Sequence, residues 1–452
     1  MDEETIVALA TPPGRGGIAV VRLSGSQSEA VLGQIFQGLP RAPRPRHSYH
    51  GHLHDAGRRI DECLAVLFRG PRSYSGEDMA EISLHANPFI VEAAVSLACR
   101  CGARPALAGE FSYRAFRNGK LDLLQAEAVN ELIRSNSRAF SLMEFGNLEG
   151  RLSREVAGIR RALLKAAVDV ETGIEFSEDQ HVAAGGGVAG LAGAAAALDG
   201  ILAGSRFSEA LNRGLRVAIA GRVNVGKSSL FNALLLKERS ITSALPGTTR
   251  DYIEETLRLD GFSFRLTDMA GLRPASADDV EHEGMRRSLE QIARADAVLF
   301  MVDASRPPGR DDVEIHRLTE GKRRLLLANK SDLAREEALR RIRERFPGET
   351  PHLVSARSGD NLGAVTAFLK ELLRDMPDPS GAVAVNLRQK TLLERLRETL
   401  RRILDRQAGT APEAELLAEE IRRGLDLIGE LTGAVSAEDV LHGVFASFCI
   451  GK

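Results

Sequence analysis

Between Arg216 and Leu236 the chain reads RVAIAGRVNVGKSSLFNALLL, and the residues able to do chemistry sit in its middle. Gly221-Arg222-Val223-Asn224-Val225-Gly226-Lys227-Ser228 matches G-x-x-x-x-G-K-[ST]. An apolar run, Val217 to Ala220, precedes it, and Ser229 to Leu236 continues with helical spacing. Strand, Gly-rich loop and helix in that order cradle a polyphosphate. Gly221 and Gly226 let the backbone wrap closely, so that its N–H groups and the helix N-terminus face the anion. Lys227 brings positive charge to the β- and γ-phosphates, a catalytic role, and the Ser228 hydroxyl can ligate Mg²⁺.

Asn329-Lys330-Ser331-Asp332 follows the apolar run Leu325 to Ala328 and so sits at the C-terminal end of a strand. Ligands of open α/β sheets gather at that edge. The Asp332 carboxylate can accept two N–H bonds from guanine, whereas adenine offers the wrong pattern. With Ser355-Ala356-Arg357 after the strand His352 to Val354, this signature resembles the guanine-specifying elements of translation-factor-like GTPases. Asp268-Met269-Ala270-Gly271 matches their D-x-x-G, in which Asp268 would hold Mg²⁺ through water and the Gly271 N–H would sense the γ-phosphate. Met269 stands where Thr is usual, and its side chain serves neither role. Pro246-Gly247-Thr248-Thr249-Arg250-Asp251 reads as a loop that orders with the γ-phosphate, Thr249 completing the Mg²⁺ shell. Ras-like proteins follow the D-x-x-G with a water-orienting Gln. Here the residue is Leu272, so hydrolysis must recruit help from elsewhere.

These motifs need a scaffold of several domains. The length of 452 residues suggests about three. A hydrophobic content of 43% and charged content of 27% describe an ordinary globular chain, and a net charge of −2 exerts no bulk pull on nucleic acid. Cys63, Cys99, Cys101 and Cys449 offer no zinc spacing and no disulfide framework, as expected of a cytoplasmic protein. The acidic start MDEETIVALA is unlike a signal peptide, and no apolar run is long enough to span a membrane.

Residues 1–118 read as an α+β domain, with strands at Ile6–Ala10, Gly17–Leu23, Cys63–Phe68 and Met79–His85 and helices at Ser26–Phe36 and Pro88–Cys99. Residues 119–213 have helical spacing, through Leu121, Leu124, Ala128 and Leu132, then Leu152, Val156, Ile159, Leu163 and Val170. The Gly- and Ala-rich segment Ala183–Ala197 is expected to break that pattern before the next helix. Residues 214–376 alternate strands and helices as a parallel sheet does, with a hairpin at Ile253–Leu259 and Phe262–Thr267. Residues 377–452 return to helical spacing, which predicts an α/β nucleotide domain inserted into a helical domain built from both flanking segments.

The chain ends Phe448-Cys449-Ile450-Gly451-Lys452, which fails the prenylation rule at its last two positions. Cys449 is open to two readings: a cysteine buried in a final helix, or a thiol whose pKa the nearby Lys452 lowers.

Taken together, TPPGRGGIAVVRLSG, GEF, NGKLDLLQAEAV, GRVNVGKSSLFNAL, PGTTRD and the final FCIGK resemble the MnmE (TrmE) family of tRNA modification GTPases over essentially the whole chain. The resemblance implies GTP and GDP binding through Asn224, Val225, Gly226, Lys227, Ser228, Ser229, Ser243, Ala244, Leu245, Pro246, Gly247, Thr248, Thr249, Asp268, Met269, Ala270, Gly271, Asn329, Lys330, Asp332, Ser355, Ala356 and Arg357. It implies Mg²⁺ on Ser228 and Thr249, and K⁺ held by the Asn224 and Thr248 side chains and the Ser243 and Leu245 carbonyls. Glu281 matches the acidic residue that orients the attacking water, with Glu283 a neighbour that chemistry alone does not separate from it. Arg22, Glu77, Lys120 and Lys452 match positions that contact 5-formyl- or methylene-tetrahydrofolate, Arg and Lys suiting its carboxylates and Glu the amidine-like pterin edge. Cys449 matches a functionally important cysteine. The implied reaction adds a carboxymethylaminomethyl or aminomethyl group to C5 of the wobble uridine of certain tRNAs. The implied assembly is a homodimer working with an FAD-containing MnmG-type partner in a heterotetramer, its GTPase stimulated by K⁺ and by pairing of the nucleotide domains. Ala86-Asn87 departs from the Gly-rich turn common there. The alternative is a ribosome-assembly GTPase that switches without group transfer.

Overall fold

The computed structural model describes residues 4–175, 189–238, 254–268, 290–374, 382–407, 414–435 and 438–452. It divides into two compact units. The first comprises 1–134, 144–202 and 385–452, and the second 135–143 and 203–384.

The first unit opens with strands β1 (Ile6–Leu9) and β2 (Gly16–Ser24), helix α1 (Ser28–Ile35), and strands β3 (Phe36–Gln37), β4 (Ser48–Asp55), β5 (Arg58–Phe68) and β6 (Met79–Ala86). Helix α2 (Pro88–Arg100) and strand β7 (Arg104–Pro105) follow. The sheet order is β3-β4-β5-β6-β2-β1-β7, antiparallel except for the parallel pair β1–β7. Alternate residues point to opposite faces of a strand. Thus Ala19, Val21 and Leu23 of β2 and Ala80, Ile82 and Leu84 of β6 bury one face, against Leu32 and Ile35 of α1 and Leu97 and Ala98 of α2. Asn87, at the departure from the family turn, caps α2: its side chain accepts from the Phe89 N–H at 3.0 Å, with Pro88 in the first turn. Such caps contribute about 1 kcal/mol.

The helical part of this unit comes from both ends of the chain. Helices α3 (Glu110–Arg117), α4 (Leu123–Arg134), α5 (Arg138–Leu148), α6 (Arg151–Glu175) and α7 (Ala189–Arg213) precede the nucleotide sheet, with the starts of α5 and the end of α7 belonging to the second unit. Of the two long helices after that sheet, the second packs on both α6 and the first. The predicted stripe Leu152, Val156, Ile159, Leu163 and Val170 is buried. The expected break at Ala183–Ala197 is corrected from Ala189 onward: Ala189 to Ala197 is helical, inside α7. Alanine is the best helix former, and Leu191, Ala194 and Leu198 provide a buried face at helical spacing. The rest of that segment lies outside the described residues.

The second unit holds β8 (Leu215–Ala220), α8 (Lys227–Glu238), the hairpin β9 (Glu254–Leu259) and β10 (Phe262–Asp268), β11 (Ala297–Asp303), α9 (Arg310–Leu318), β12 (Arg323–Asn329), α10 (Glu336–Arg345), β13 (His352–Val354) and α11 (Gly363–Arg374). Its sheet runs β13-β12-β11-β8-β10-β9, parallel except for β9, which pairs antiparallel with β10. All of β11 is buried. Its odd residues, Ala297, Leu299 and Met301, pack with Leu230 and Leu234 of α8 and Leu369 of α11. Its even ones, Val298, Phe300 and Val302, pack with Ile315 of α9 and Ile342 of α10 on the other face. Double burial of this kind is why such strands read as continuous apolar runs.

After the sheet come α12 (Leu387–Gln407), α13 (Ala414–Thr432) and α14 (Glu438–Ala446), which complete the first unit. Leu396, Leu400 and Ile403 of α12 and Ile421, Leu427 and Ile428 of α13 are buried. At Gly424 a Cβ would lie 3.2 Å from Leu163, so glycine lets α13 approach α6 closely. The chain is thus a multidomain protein: an α+β front, a helical domain from two segments, and an inserted parallel α/β sheet. No helix among the described residues is long and apolar enough to cross a membrane.

Candidate functional site

The buried strand β8 delivers the loop Gly221–Gly226 to the C-terminal edge of the sheet, and α8 begins directly after it at Lys227. Val225, fully buried, anchors the loop from below. Asn224 has φ +62°, a left-handed conformation that Asn tolerates better than most residues. Gly226 has φ +102°, and a Cβ there would collide with the Asn329 side-chain amide. Lys227, 7% exposed, donates Nζ to the Gly221 carbonyl at 2.9 Å and the Arg222 carbonyl at 3.1 Å, while Ser228 and Ser229 are exposed.

At the end of β12, Asn329 is buried and joins two loops. Its Nδ2 donates to the Val225 carbonyl at 2.7 Å, and its Oδ1 accepts from the Ala356 N–H at 2.9 Å. Lys330 turns the chain with φ +67° and sends Nζ to Asp303 Oδ2 at 2.8 Å. Burial works to raise the Asp303 carboxyl, but Lys330 and Ser305 outweigh it and hold it at about 2. Asp332 is exposed, and its Oδ1 accepts from the Ser355 hydroxyl at 3.1 Å. Asn224, Gly226, Lys227, Ser228, Ser229, Asn329, Lys330, Asp332, Ser355, Ala356 and Arg357 thereby line a single cleft of about 560 Å³, with Leu333 added to its wall. Asp268 ends β10, whose register sets it beside Ile219 of β8. Ser243 to Thr249, Met269, Ala270, Gly271, Glu281 and Glu283 lie outside the described residues.

A second constellation lies in the first unit. The tail after α14 docks where the chain enters α3: the Gly109 N–H donates to the Cys449 carbonyl at 3.4 Å, Phe111 N–H to the Lys452 carbonyl at 3.2 Å, and Ala108 bridges Ile450. Arg22 reaches the Gly451 carbonyl at 3.3 Å, pairs with Glu81 at 2.8 Å, and lies over the Tyr74 and Phe111 rings at 5.3 and 5.6 Å. Burial and then Arg22 lower the Lys452 ammonium pKa, against the pull of Glu81 and Cys449. Arg22, Cys449 and Lys452 therefore meet. Cys449 is exposed and lies beyond α14, which overturns the reading as a cysteine buried in a final helix. Glu77 accepts from Ser24 at 2.7 Å and Arg114 at 2.9 Å, while Lys120 donates to the Pro71 carbonyl at 3.0 Å.

Sequence reasoning passed over the residues beside Glu77. A cavity of about 390 Å³ is walled by Glu77, Glu110, Tyr113, Arg114, Asn118, His442 and Phe445, among others. Burial acts to raise the Glu110 carboxyl, but bonds from Arg104, the Leu107 N–H and Arg114 hold it below the usual range. The signal was the pair of arginines at helical spacing behind GEF, Arg114 and Arg117, which reads equally well as surface charge.

A Gly-rich phosphate loop opening a helix, and an Asn-Lys-x-Asp at the same edge of the sheet, define the second unit as a P-loop GTPase domain. The flanks carry the rest of the identification. Residues 5–120 match the family model described as GTP-binding protein TrmE N-terminus, and residues 123–449 match the MnmE helical domain. The chain is 38% identical to the tRNA modification GTPase MnmE of Aquifex aeolicus (strain VF5), covering 99% of this chain and 100% of that one. It is 39% identical to the protein of the same name from Roseiflexus castenholzii, covering 100% of both. It belongs to the MnmE family of tRNA modification GTPases. Among solved structures it is similar to an Aquifex aeolicus Era variant bound to GDP·AlF4⁻, at 26% identity, 42% of this chain, 67% of that chain and a TM-score of 0.30.

Proposed function

We propose that this protein hydrolyses GTP in the service of tRNA modification, adding a carboxymethylaminomethyl or aminomethyl group to C5 of a wobble uridine. It works in the cytoplasm as a homodimer with an FAD-containing MnmG-type partner, and the one-carbon unit comes from 5-formyl- or methylene-tetrahydrofolate. The observation that carries this reading is kinship with MnmE proteins along the whole chain, front domain and tail included.

The residues divide the labour as follows. Lys227 leaves the Gly221 and Arg222 carbonyls to meet the phosphates, and the loop N–H groups hold them. Asp332 reads the guanine edge, and Asn329 keeps phosphate loop and base loop in register. Ser228, exposed in the first turn of α8, would hold Mg²⁺ with Thr249 and, through water, Asp268. The Asn224 and Thr248 side chains and the Ser243 and Leu245 carbonyls would hold K⁺. Bound there, the two cations would supply positive charge against that developing on the phosphates. Glu281 orients the attacking water, a duty that Leu272 cannot perform. In the front domain Arg22 and Lys452 form adjacent cations suited to the carboxylates of a folate, with Glu77 for its pterin edge and Lys120 alongside.

Nucleoside analysis of tRNA from a deletion strain tests the reaction, and unchanged wobble uridine would favour the ribosome-assembly switch instead. Complementation with Cys449→Ser tests the thiol: GTP hydrolysis is retained and modification lost. Hydrolysis should run faster in K⁺ than in Na⁺, and Asn224→Gly, which keeps the left-handed backbone, should abolish the difference. Equal rates in the two salts for the parent protein would remove K⁺ from the mechanism.

A further inference from the structure

Asp303 closes β11 with its side chain 2% exposed, and cations from three directions converge on it. Oδ1 is taken by Ser305, whose N–H donates at 2.9 Å and whose hydroxyl donates at 2.6 Å. Oδ2 receives Lys330 Nζ at 2.8 Å, with Arg306 Nε at 3.3 Å and Arg222 Nη2 at 3.8 Å. Lys330 belongs to the base loop, and Arg222 is the second residue of the phosphate loop. Arg222 is itself held between two carboxylates, because its Nη1 lies 3.8 Å from Asp312 Oδ2 of α9, and Asp312 is 1% exposed. Nε and Nη2 of Arg222 and Oδ1 of Asp312 are buried without a hydrogen-bond partner among the described residues. The guanidinium is thus placed by charge, not by directed bonds. Its carbonyl, at the other end of the residue, accepts from Lys227 at 3.1 Å.

From this geometry we infer that Asp303 is a positioning residue for both ends of the nucleotide: one carboxylate aligns Lys330 at the base and, through Arg222, the phosphate loop that carries Lys227. The inference rests on the GTPase reading of this cleft and adds to it a link between base recognition and phosphate grip. Asn329 supplies a hydrogen-bonded link between the same loops; Asp303 supplies an electrostatic one. Removing a partner from a buried charge cluster leaves the others uncompensated, which is costlier than losing an exposed pair. Asp303→Asn therefore leaves Lys330 and Arg222 close together with no negative charge between them, and both loops shift.

The two ends can be read separately by comparing GMP with GDP in competition against a fluorescent GDP analogue. A fault at the base end weakens both ligands equally, and a fault at the phosphate end lowers the preference for GDP over GMP. Lys330→Gln is expected to weaken both by about tenfold with the preference unchanged, and Arg222→Gln to lower the preference by about tenfold, as for loss of one charge-assisted bond. Asp303→Asn is expected to do both at once. Arg222→Lys, which keeps the charge, should restore most of the preference. A merely structural role for Asp303 predicts equal losses of GMP and GDP that track the folded fraction, and that result overturns the inference. Should Asp303→Asn fail to fold, Arg222→Gln decides alone: an unchanged preference for GDP over GMP overturns the link. Failure of the parent protein to bind any guanine nucleotide would instead sink the GTPase reading itself.

Discussion

Glu127 and Arg388, 261 residues apart in the chain, meet inside the helical domain through two hydrogen bonds of 2.7 Å each. Glu127 is buried on α4 and also accepts from Gln389 at 2.7 Å. Arg388, in the first turn of α12, donates further to the Glu430 and Leu431 carbonyls at 3.2 and 3.1 Å. Those carbonyls lie in the last turn of α13, where a cation also complements the helix dipole. One guanidinium therefore ties the segment before the nucleotide sheet to both long helices after it. Arg388→Ala strands a buried carboxylate and is expected to cost about 3–5 kcal/mol. Urea unfolding followed by far-ultraviolet circular dichroism checks this through the midpoint of the helical transition. Arg388→Lys should recover little, because an ammonium cannot reproduce the planar fork. A midpoint unmoved in Arg388→Ala would refute the tie.

Part of this architecture was legible in the sequence because its signals are local. The spacing of Gly221, Gly226 and Lys227 fixes the backbone of a phosphate loop by itself. The apolar runs of β11 and β12 announce doubly buried strands. Strand β4 escaped notice because His50, His52 and His54 alternate with Tyr49, Gly51 and Leu53, so only one aliphatic side chain faces the core. Nonlocal pairings were illegible for a different reason. Nothing near Asp303 announces that Arg222 and Lys330 converge on it, and nothing in FCIGK announces a docking site at Ala108–Phe111.

Glu144 on α5 makes stability depend on pH. It is 3% exposed, and burial pushes its carboxyl up to about 8, with Glu131 and Glu127 adding to the effect and a hydrogen bond from Asn147 opposing it. The folded chain keeps this proton where the unfolded chain has lost it, so the folded state binds more protons between about pH 4.5 and 8. Its contribution is fully present below that window and is lost as pH rises through it, by up to about 1.4 kcal/mol per pH unit. Glu144→Gln should flatten this part of the profile and raise stability at pH 8. Unfolding midpoints at pH 6, 7 and 8 check it, and parallel profiles for parent and variant would contradict it.

Gly451 fixes the tail that carries Cys449 and Lys452. Its φ is +97°, and an added Cβ would collide with the Leu9 carbonyl oxygen, which is rigid backbone of β1. Gly451→Ala must therefore lift the tail from Ala108–Phe111 and withdraw the carbonyl that accepts from Arg22. GTP hydrolysis should survive in this variant and tRNA modification should fall by tenfold or more, as for misplacement of a positioned group. Faster alkylation of Cys449 would report the displaced tail directly, and an alkylation rate equal to the parent's would rule the displacement out.

On the proposed reading, base choice turns on Asp332. Its Oδ1 is oriented by the Ser355 hydroxyl at 3.1 Å, and Ser355 is in turn held by the Ser358 N–H at 3.3 Å, so the carboxylate is aimed by the loop that follows β13. A carboxylate offers two acceptors to the adjacent N–H donors of guanine, and Asp332→Asn replaces one acceptor with a donor. Donor then faces donor, and a hydrogen bond to a charged group worth about 1.5–3 kcal/mol is lost for each mismatched contact. GTP affinity should fall by roughly one to two orders of magnitude. Xanthine carries a carbonyl where guanine has its amino group, so the same variant should gain affinity for xanthosine triphosphate. Asp332→Ala separates the two effects, since it should lose GTP without gaining the xanthine nucleotide. Competition binding with both nucleotides reads all three proteins. If Asp332→Asn keeps the parent's affinity for GTP, this carboxylate does not read the base, and the recognition must be sought on another strand end of the same sheet.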